Sequence, residues 1–192
     1  MDSPFLTIAE LGRAYETKKL SPVEVTRAVL DRIAVHAGKL HSFIRVTADV
    51  ALADARTAEA ELMAGRRRGP LHGIPYGLKD VIEPAGIPTT GHSKLRQHHV
   101  PRDEADIVRR LKEAGGVLLG KLATWEFANG GPSFDLPWPP ARNPWDTDRL
   151  PGGSSSGPGA AVAAGFMPAA IGTDLAVLVV AVLLGAYYVL FM

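Results

Sequence analysis

The first third of the chain carries apolar residues at helical spacing, with a helix-start signal before each stripe. Thr7 can cap the first segment, and Ser21-Pro22-Val23-Glu24 is a capping box with proline at the first helical position. An alanine-rich run from Thr47 to Ala64 predicts a third helix that ends at Gly65. The apolar stripes of the first two helices are Ile8, Leu11, Ala14 and Tyr15, and then Val25, Val29 and Ile33.

The pattern changes at Leu71, where glycine and proline punctuate short apolar runs. Leu71 to Ile82 is predicted to be extended, and Val117 to Gly120 is predicted to be a buried strand. Between them, Asp103 to Ala114 has helical spacing and is closed by a pair of glycines. Strands that alternate with capped helices predict an α/β domain whose site lies at the ends of strands.

Composition narrows the classes of function. The 192 residues suffice for one ordinary domain, and 21 Lys plus Arg balance 20 Asp plus Glu. This near-neutral charge gives no electrostatic reason to expect nucleic acid as a partner. The absence of cysteine excludes disulfides and thiol nucleophiles and fits a reducing compartment. No secretory signal is evident at the start, so the cytoplasm is the expected location.

One lysine stands among apolar neighbours in the first extended segment. In a structural role, Lys79 would pair with Asp80 or with another carboxylate at a strand edge. In a functional role it would be a base, because burial disfavours the ammonium and moves a lysine pKa from about 10.4 towards neutrality. The segment alone leaves both roles open.

Two groups of charged or titratable residues carry weaker signals. The run Arg66-Arg67-Arg68 is either a phosphate-binding patch or, more simply, a solvated loop. His92, His98 and His99 lie in a loop, and no partner at i, i+4 spacing completes a metal site there. We expect solvated loop histidines and no metal.

The stretch from Gly130 to Pro151 is rich in proline and tryptophan and is not expected to form regular structure. Its tryptophans, Trp138 and Trp145, either line a pocket for an apolar substrate or cover the core. Both interpretations stay open on the sequence.

The serine-rich loop Gly152-Gly153-Ser154-Ser155-Ser156-Gly157 admits three chemical interpretations. A phosphate-binding loop lacks its G-K-[ST] ending here. A nucleophile elbow centred on Ser155 would need a later histidine, and none follows His99. The third interpretation is a serine relay driven by Lys79 in place of histidine.

Several motifs, in order, resemble the amidase signature family over residues 5 to 174. Gly73-Ile74-Pro75-Tyr76-Gly77-Leu78-Lys79-Asp80 is similar to the family's lysine segment, and Gly86-Ile87-Pro88-Thr89-Thr90 to its next loop. Asn143-Pro144-Trp145 with Pro151-Gly152-Gly153-Ser154-Ser155-Ser156-Gly157 resembles its serine loop. The resemblance implies N-terminal helices followed by a mixed β-sheet flanked by helices. It makes Lys79 the neutral general base and Ser154 the bridging serine, held by a cis peptide after Gly153.

The remaining site assignments are substrate contacts. We assign them to Gly130, Gly131, Ser133 and Ser155, and we expect neither a cofactor nor a metal. The partner that the family implies is a small-molecule amide substrate.

The chain departs from the family's pattern after Asp174. The family's nucleophile is expected in the stretch G-T-D-T-G-G-S, and here Leu178 occupies the serine position. The glycines whose N–H groups would form an oxyanion hole are also replaced, and losing one such donor typically costs about 100- to 1000-fold in rate. We therefore divide the chain into 1–174, the N-terminal part of an amidase domain in an incomplete amidase-signature fold, and 175–192, an apolar tail from outside the family.

The tail has its own alternatives. Its 18 uncharged residues would span roughly 27 Å as a helix, near the roughly 30 Å of a bilayer's hydrocarbon core. It is interpreted as a membrane segment, as a buried element of an incomplete core, or as sequence fused by a frameshift, deletion or assembly error.

Three hypotheses of function follow. The first is a hydrolase of small carboxamides by descent, inactive as given because Leu178 replaces the nucleophile. The second is a non-catalytic, membrane-associated or misassembled fragment. The third is the amidase subunit of an amidotransferase that acts on charged transfer RNA; the stretch from Gly130 to Asp135 looks more like the general amidases.

Overall fold

Helices and strands alternate through most of the computed structural model, which describes residues 5–174. The helices are α1 (Ile8–Glu16), α2 (Pro22–Leu40), α3 (Ala48–Met63), α4 (Asp106–Glu113) and α5 (Ser156–Ala163), with short 3-10 turns at Lys94–Arg96 and Glu126–Ala128. The strands are β1 (Phe43–Val46), β2 (Pro75–Lys79), β3 (Val117–Leu122) and β4 (Ala169–Ile171).

Local capping explains where the first two helices begin. The Thr7 hydroxyl accepts the N–H of Glu10 at 3.2 Å, while the Glu10 carboxylate accepts the N–H of Thr7 at 2.8 Å. Ser21 and Glu24 form the same reciprocal pair at 3.1 and 2.9 Å. Each pair satisfies donors that a first helical turn otherwise leaves unpaired. The predicted starts of both helices are confirmed.

The described strands form a mixed sheet in the order β1-β3-β2-β4. β2 runs parallel to β3, with Lys79 opposite Leu122, and parallel to β4, with Leu78 opposite Ile171. β1 is antiparallel to β3. α4 lies between β2 and β3 in the chain and α5 lies between β3 and β4, as parallel connections require. The α/β architecture with a mixed sheet flanked by helices is confirmed.

Two apolar clusters cover the two faces of the sheet. The larger cluster joins residues of α1, α2, α3 and α5, among them Val29, Ala55 and Ala161. The smaller cluster joins α4 to the other face, where Leu78 lies. Because side chains alternate along a strand, Lys79 belongs to the face that α5 covers.

The extended segment predicted for residues 71–82 forms a strand only at Pro75–Lys79, with turns on either side. Two further predicted bounds also differ from the structure. α4 begins at Asp106 rather than Asp103, because Ala105 is extended and donates its N–H to the Glu83 carbonyl at 2.8 Å. β3 continues past Gly120 to Leu122, because its last residues pair with β2. Both differences come from contacts between segments distant in the chain.

Within residues 5–174, no helix is both long enough and apolar enough to cross a membrane. The tail 175–192, to which the membrane interpretation applies, lies outside the described residues, and so does Leu178.

Candidate active site

The lysine for which the sequence analysis considered the role of a base occupies the last position of a central strand. Lys79 ends β2, which has β3 on one side and β4 on the other. Its side chain is fully buried, at 0% exposure. A lysine held inside a sheet and covered by a helix loses the hydration of its ammonium, so it needs hydrogen-bond acceptors in the protein.

The serine loop brings Ser154 to that lysine. The Gly153–Ser154 peptide is cis, as the resemblance implied. The Ser154 carbonyl accepts the N–H of Trp125 at 3.1 Å, and the Trp125 indole lies so close to Gly153 that an added Cβ would meet it at 2.2 Å. Trp125, which follows β3, therefore holds the serine loop in place.

A close approach of backbone to backbone seats α5 behind the loop. Gly157 donates its N–H to the Ala123 carbonyl at 2.8 Å. A Cβ at Gly157 would lie 2.3 Å from the Ala123 nitrogen and 2.6 Å from the Ser42 oxygen. Only glycine allows this distance, so Gly157 sets the position of the helix that follows Ser154 and Ser155.

Lys79 has three acceptors around its Nζ. It donates to Ser154 Oγ at 2.7 Å, to Thr173 Oγ1 at 2.8 Å and to the Thr173 carbonyl at 3.2 Å. A carbonyl can only accept, whereas a hydroxyl can also donate. When the lysine is neutral, the two hydroxyls are therefore the groups able to turn and donate to its lone pair.

Ser155 holds Thr173 in place. Its hydroxyl donates to the Thr173 carbonyl at 2.9 Å and accepts the Thr173 N–H at 3.2 Å. Thr173, to which the sequence analysis gave no role, thus contacts both Ser155 and Lys79, and Lys79 in turn contacts Ser154. The spacing of the motifs does not show this contact, because it joins the serine loop to the end of β4.

Burial changes the protonation of the lysine. Desolvation lowers the pKa of Lys79 to about 8, and the charge of Asp174 acts in the opposite direction. An amine with a pKa this near neutrality is partly deprotonated at physiological pH, which suits a general base.

Asp80, the neighbouring carboxylate, does not pair with Lys79. Its Oδ1 lies 2.9 Å from the Nζ of Lys121, and both side chains are fully buried. Of the structural partners considered for Lys79, Asp80 is therefore wrong, whereas the charge of another carboxylate, Asp174, does act on Lys79. The partner that Asp80 does have, Lys121, was missed by the sequence analysis.

The residues assigned to substrate contacts divide into two groups. Ser155 lies in the Lys79 cluster, which consists of Lys79, Ser154, Ser155 and Thr173, and its hydroxyl is hydrogen-bonded to Thr173. Gly130 and Gly131 are exposed, and Ser133 donates its hydroxyl to Asp135 within its own segment at 2.5 Å. Their role towards a substrate stays a prediction.

One histidine ties the segment 130–140 to the sheet. His92 is 2% exposed, so the expectation of a solvated loop histidine is wrong for this residue. Its Nε2 donates to the Trp138 carbonyl at 2.8 Å, since a carbonyl only accepts, and its Nδ1 accepts the Thr124 N–H at 3.3 Å. The Trp138 ring lies edge-on to the imidazole, at 6.0 Å between centroids.

Trp145 does not cover the core. It is 77% exposed. It lines a cavity of about 310 Å³ together with Arg32 and Phe166, and no residue of the Lys79 cluster lines that cavity. Asn143, two residues earlier, fixes the turn by accepting the Trp145 N–H on its side-chain oxygen at 3.0 Å.

The arginine run is held by carboxylates. Arg67 pairs with Glu16, and Arg68 pairs with Glu61 at 2.5 Å. These contacts give the run a structural role between α1, α3 and the following loop. Over the described residues 5–174, no group of three His, Asp or Glu side chains is placed to hold a metal ion.

Comparison with known proteins shows the family and the fold. The model of the Amidase family matches residues 24–176. The chain is 48% identical over 168 residues to a glutamyl-tRNA(Gln) amidotransferase subunit from Acidothermus cellulolyticus, covering 88% of this chain and 33% of that protein. The corresponding protein of Thermobifida fusca is 47% identical over 169 residues, covering 88% and 34%.

Solved structures share the fold. The peptide amidase of Stenotrophomonas maltophilia superposes with a TM-score of 0.79 at 38% identity, covering 84% of this chain and 34% of that one. A bacterial aryl acylamidase of the amidase signature family superposes with a TM-score of 0.80 at 28% identity, covering 86% and 35%.

The mixed sheet flanked by helices is thus the fold of solved amidases. This chain belongs to the amidase signature family. It spans about a third of the length of the curated relatives it matches.

Proposed function

We propose that residues 1–174 carry the lysine–serine part of a relay for the hydrolysis of small carboxamides. The observation that supports this most is the 2.7 Å contact between Lys79 Nζ and Ser154 Oγ in a buried site. The lowered pKa of Lys79 adds to it, because a neutral amine is needed to accept a proton.

The proton path follows from the hydrogen-bonding capacities. Neutral Lys79 accepts the hydroxyl proton of Ser154, while Ser154 takes the proton of a nucleophilic hydroxyl that attacks the amide carbon. The proton on Lys79 returns through Ser154 to the leaving nitrogen as the C–N bond breaks, which leaves an acyl ester. Water then cleaves the ester by the same path.

We further propose that the 192-residue chain does not complete this relay, because Leu178 stands where the family has its nucleophile. The purified chain is expected to show no amide turnover above that of its Lys79→Ala variant. Turnover of a small aryl or aliphatic amide that depends on Lys79 would refute the inactivity.

A chimaera tests the relay itself. Residues 1–174 are joined to the part of the Stenotrophomonas maltophilia peptide amidase that follows the equivalent position, and hydrolysis of a peptide amide is measured. We expect turnover that falls by at least about 100-fold in Lys79→Ala and in Ser154→Ala, with Gly159→Ala as the matched control. A folded chimaera whose turnover is unchanged by Lys79→Ala would contradict the proposal.

The 48% identity to the Acidothermus cellulolyticus protein favours a second candidate, the amidase subunit of a tRNA-dependent amidotransferase. The same splice made with that relative's remaining sequence tests it. Release of ammonia from an amino-acid carboxamide only when the other subunits are present would support this candidate. Equal release from simple amides without them would favour the hydrolase.

The alternative of a non-catalytic, membrane-associated fragment rests on residues 175–192, which lie outside the described residues. It is tested by partition of the chain between soluble and membrane fractions, with and without those residues. Membrane recovery that requires 175–192 would support it.

A further inference from the structure

A second buried lysine lies behind the relay, on the other face of the sheet. Lys121 is in β3, opposite Leu78 of β2, and its chain neighbour Leu122 belongs to the cluster on the α5 side. Alternation along the strand therefore places Lys121 on the face opposite to Lys79. The proton path proposed above makes no use of it.

We propose that Lys121 is a positioning residue for Lys79: it holds and neutralises the Asp80 carboxylate, and so fixes the strand end that carries the relay lysine. This inference rests on the proposed function, because it concerns how the same site is kept ready.

The contacts of Asp80 support this role. Its Oδ1 lies 2.9 Å from Lys121 Nζ, and its Oδ2 accepts the N–H of Thr90 at 2.9 Å and the Thr90 hydroxyl at 2.5 Å. Lys121 also donates to Thr89 Oγ1 at 2.6 Å. The ion pair thus joins Asp80, directly after β2, to Lys121 in β3, and the hydrogen bonds of the two side chains join the pair to Thr89 and Thr90.

The backbone of Asp80 is held as firmly. Its N–H donates to the Leu122 carbonyl at 2.9 Å, and its carbonyl accepts the N–H of Gly91 at 2.9 Å. Lys79 shares a peptide bond with Asp80, so these bonds set the direction in which the Lys79 side chain leaves the strand.

Charge balance gives the pair a second effect. A buried carboxylate without a partner favours a nearby ammonium and raises its pKa, whereas a carboxylate paired with Lys121 adds no net charge beside Lys79. The other charged groups near Lys121 are Glu83 and Arg96, which pair with each other. Asp174 acts on Lys79 from the segment after β4.

Stability alone does not account for the ion pair. Burying two charges costs several kcal/mol per ion, and a well-packed apolar pair of similar volume is often as stable or more stable. What an apolar pair lacks is the ability to orient Asp80 and to balance its charge beside the relay.

The test is the titration of Lys79 in the full chain, followed by NMR of lysines labelled at Cε. The Lys79 signal is assigned by its loss in Lys79→Arg. In Lys121→Gln, which keeps a donor but removes the charge, we expect the Lys79 midpoint to rise by about one pH unit or more. Lys94→Gln removes a charge from an exposed turn and is the matched control, with no expected change.

A second variant keeps the test decisive if Lys121→Gln does not fold. In Lys121→Gln/Asp80→Asn both charges are absent, so the pair is again neutral and the Lys79 midpoint should match that of the wild type. A folded Lys121→Gln with an unchanged midpoint would overturn the inference, as would a double variant whose midpoint moves by a full unit.

The same titration separates this inference from the proposed function. An ordinary Lys79 midpoint in the wild-type chain would count against the relay itself. A low Lys79 midpoint that is unchanged in Lys121→Gln would count against the positioning role alone.

Discussion

Replacing Lys79 with methionine should change how stability depends on pH. The fully buried ammonium is costly in the folded chain, and its pKa is lowered to about 8 from an ordinary value of 10.5. Below pH 8 the lysine is charged in both the folded and the unfolded states, so the whole cost of burial is present. Between the two values only the unfolded state holds the proton, so stability rises with pH, and above 10.5 the cost is gone.

The size of the effect follows from the shift. One pKa unit corresponds to about 1.4 kcal/mol, so the full window is worth about 3 kcal/mol. Between pH 7 and pH 10 the wild type should gain between about 2 and 3 kcal/mol relative to Lys79→Met. Other groups that titrate in this range contribute to both proteins and cancel in the difference.

The assay is urea unfolding followed by tryptophan fluorescence at pH 7, 8, 9 and 10. Lys39→Met is the matched control, since Lys39 is exposed on α2, and its difference from the wild type should stay constant over the range. A Lys79→Met difference that is equally flat would refute the lowered pKa, and with it the case for Lys79 as a base.

Three further outcomes are expected. Gly157→Ala should destabilise the fold by about 1–3 kcal/mol or more, since its Cβ would meet the Ala123 and Ser42 backbones. Gly159→Ala, which has open space around it in the same helix, should stabilise the fold by about 0.5–1 kcal/mol. Thermal unfolding measures both changes, and stability changes of the same sign in the two variants would contradict the packing described. Leu178→Ser alone should restore no amide turnover, because Leu175, Ala176 and Val177 remain in place of the threonine and glycines, and turnover of a small amide in that variant would disprove this. Thr7→Ala should cost about 1 kcal/mol of unfolding free energy through loss of the α1 cap, and chemical denaturation showing no loss would count against it.

The features that local chemistry controls could be predicted from the sequence. The starts of α1 and α2 depend on residues three apart, Thr7 with Glu10 and Ser21 with Glu24, and both appear where expected. The α/β architecture followed from strands that alternate with capped helices, and the family followed from motifs in order; both are confirmed.

The features that depend on contacts across the fold could not be predicted. Thr173 meets Lys79 only because β4 lies beside β2, and Lys121 meets Asp80 only because β3 lies on the other side. His92 lies in a loop but is buried, and its two ring nitrogens form hydrogen bonds with Trp138 and Thr124. Trp145 shows the opposite: the sequence allowed it to cover the core, but it is exposed.

Lys79 has a lowered pKa and lies 2.7 Å from Ser154 Oγ. The titration midpoint of Lys79 in the 192-residue chain, followed by NMR of its labelled Cε, measures this directly. A midpoint near pH 8 is the predicted result. A midpoint near the ordinary lysine value of 10.5 would contradict the lowered pKa and the role of Lys79 as a base.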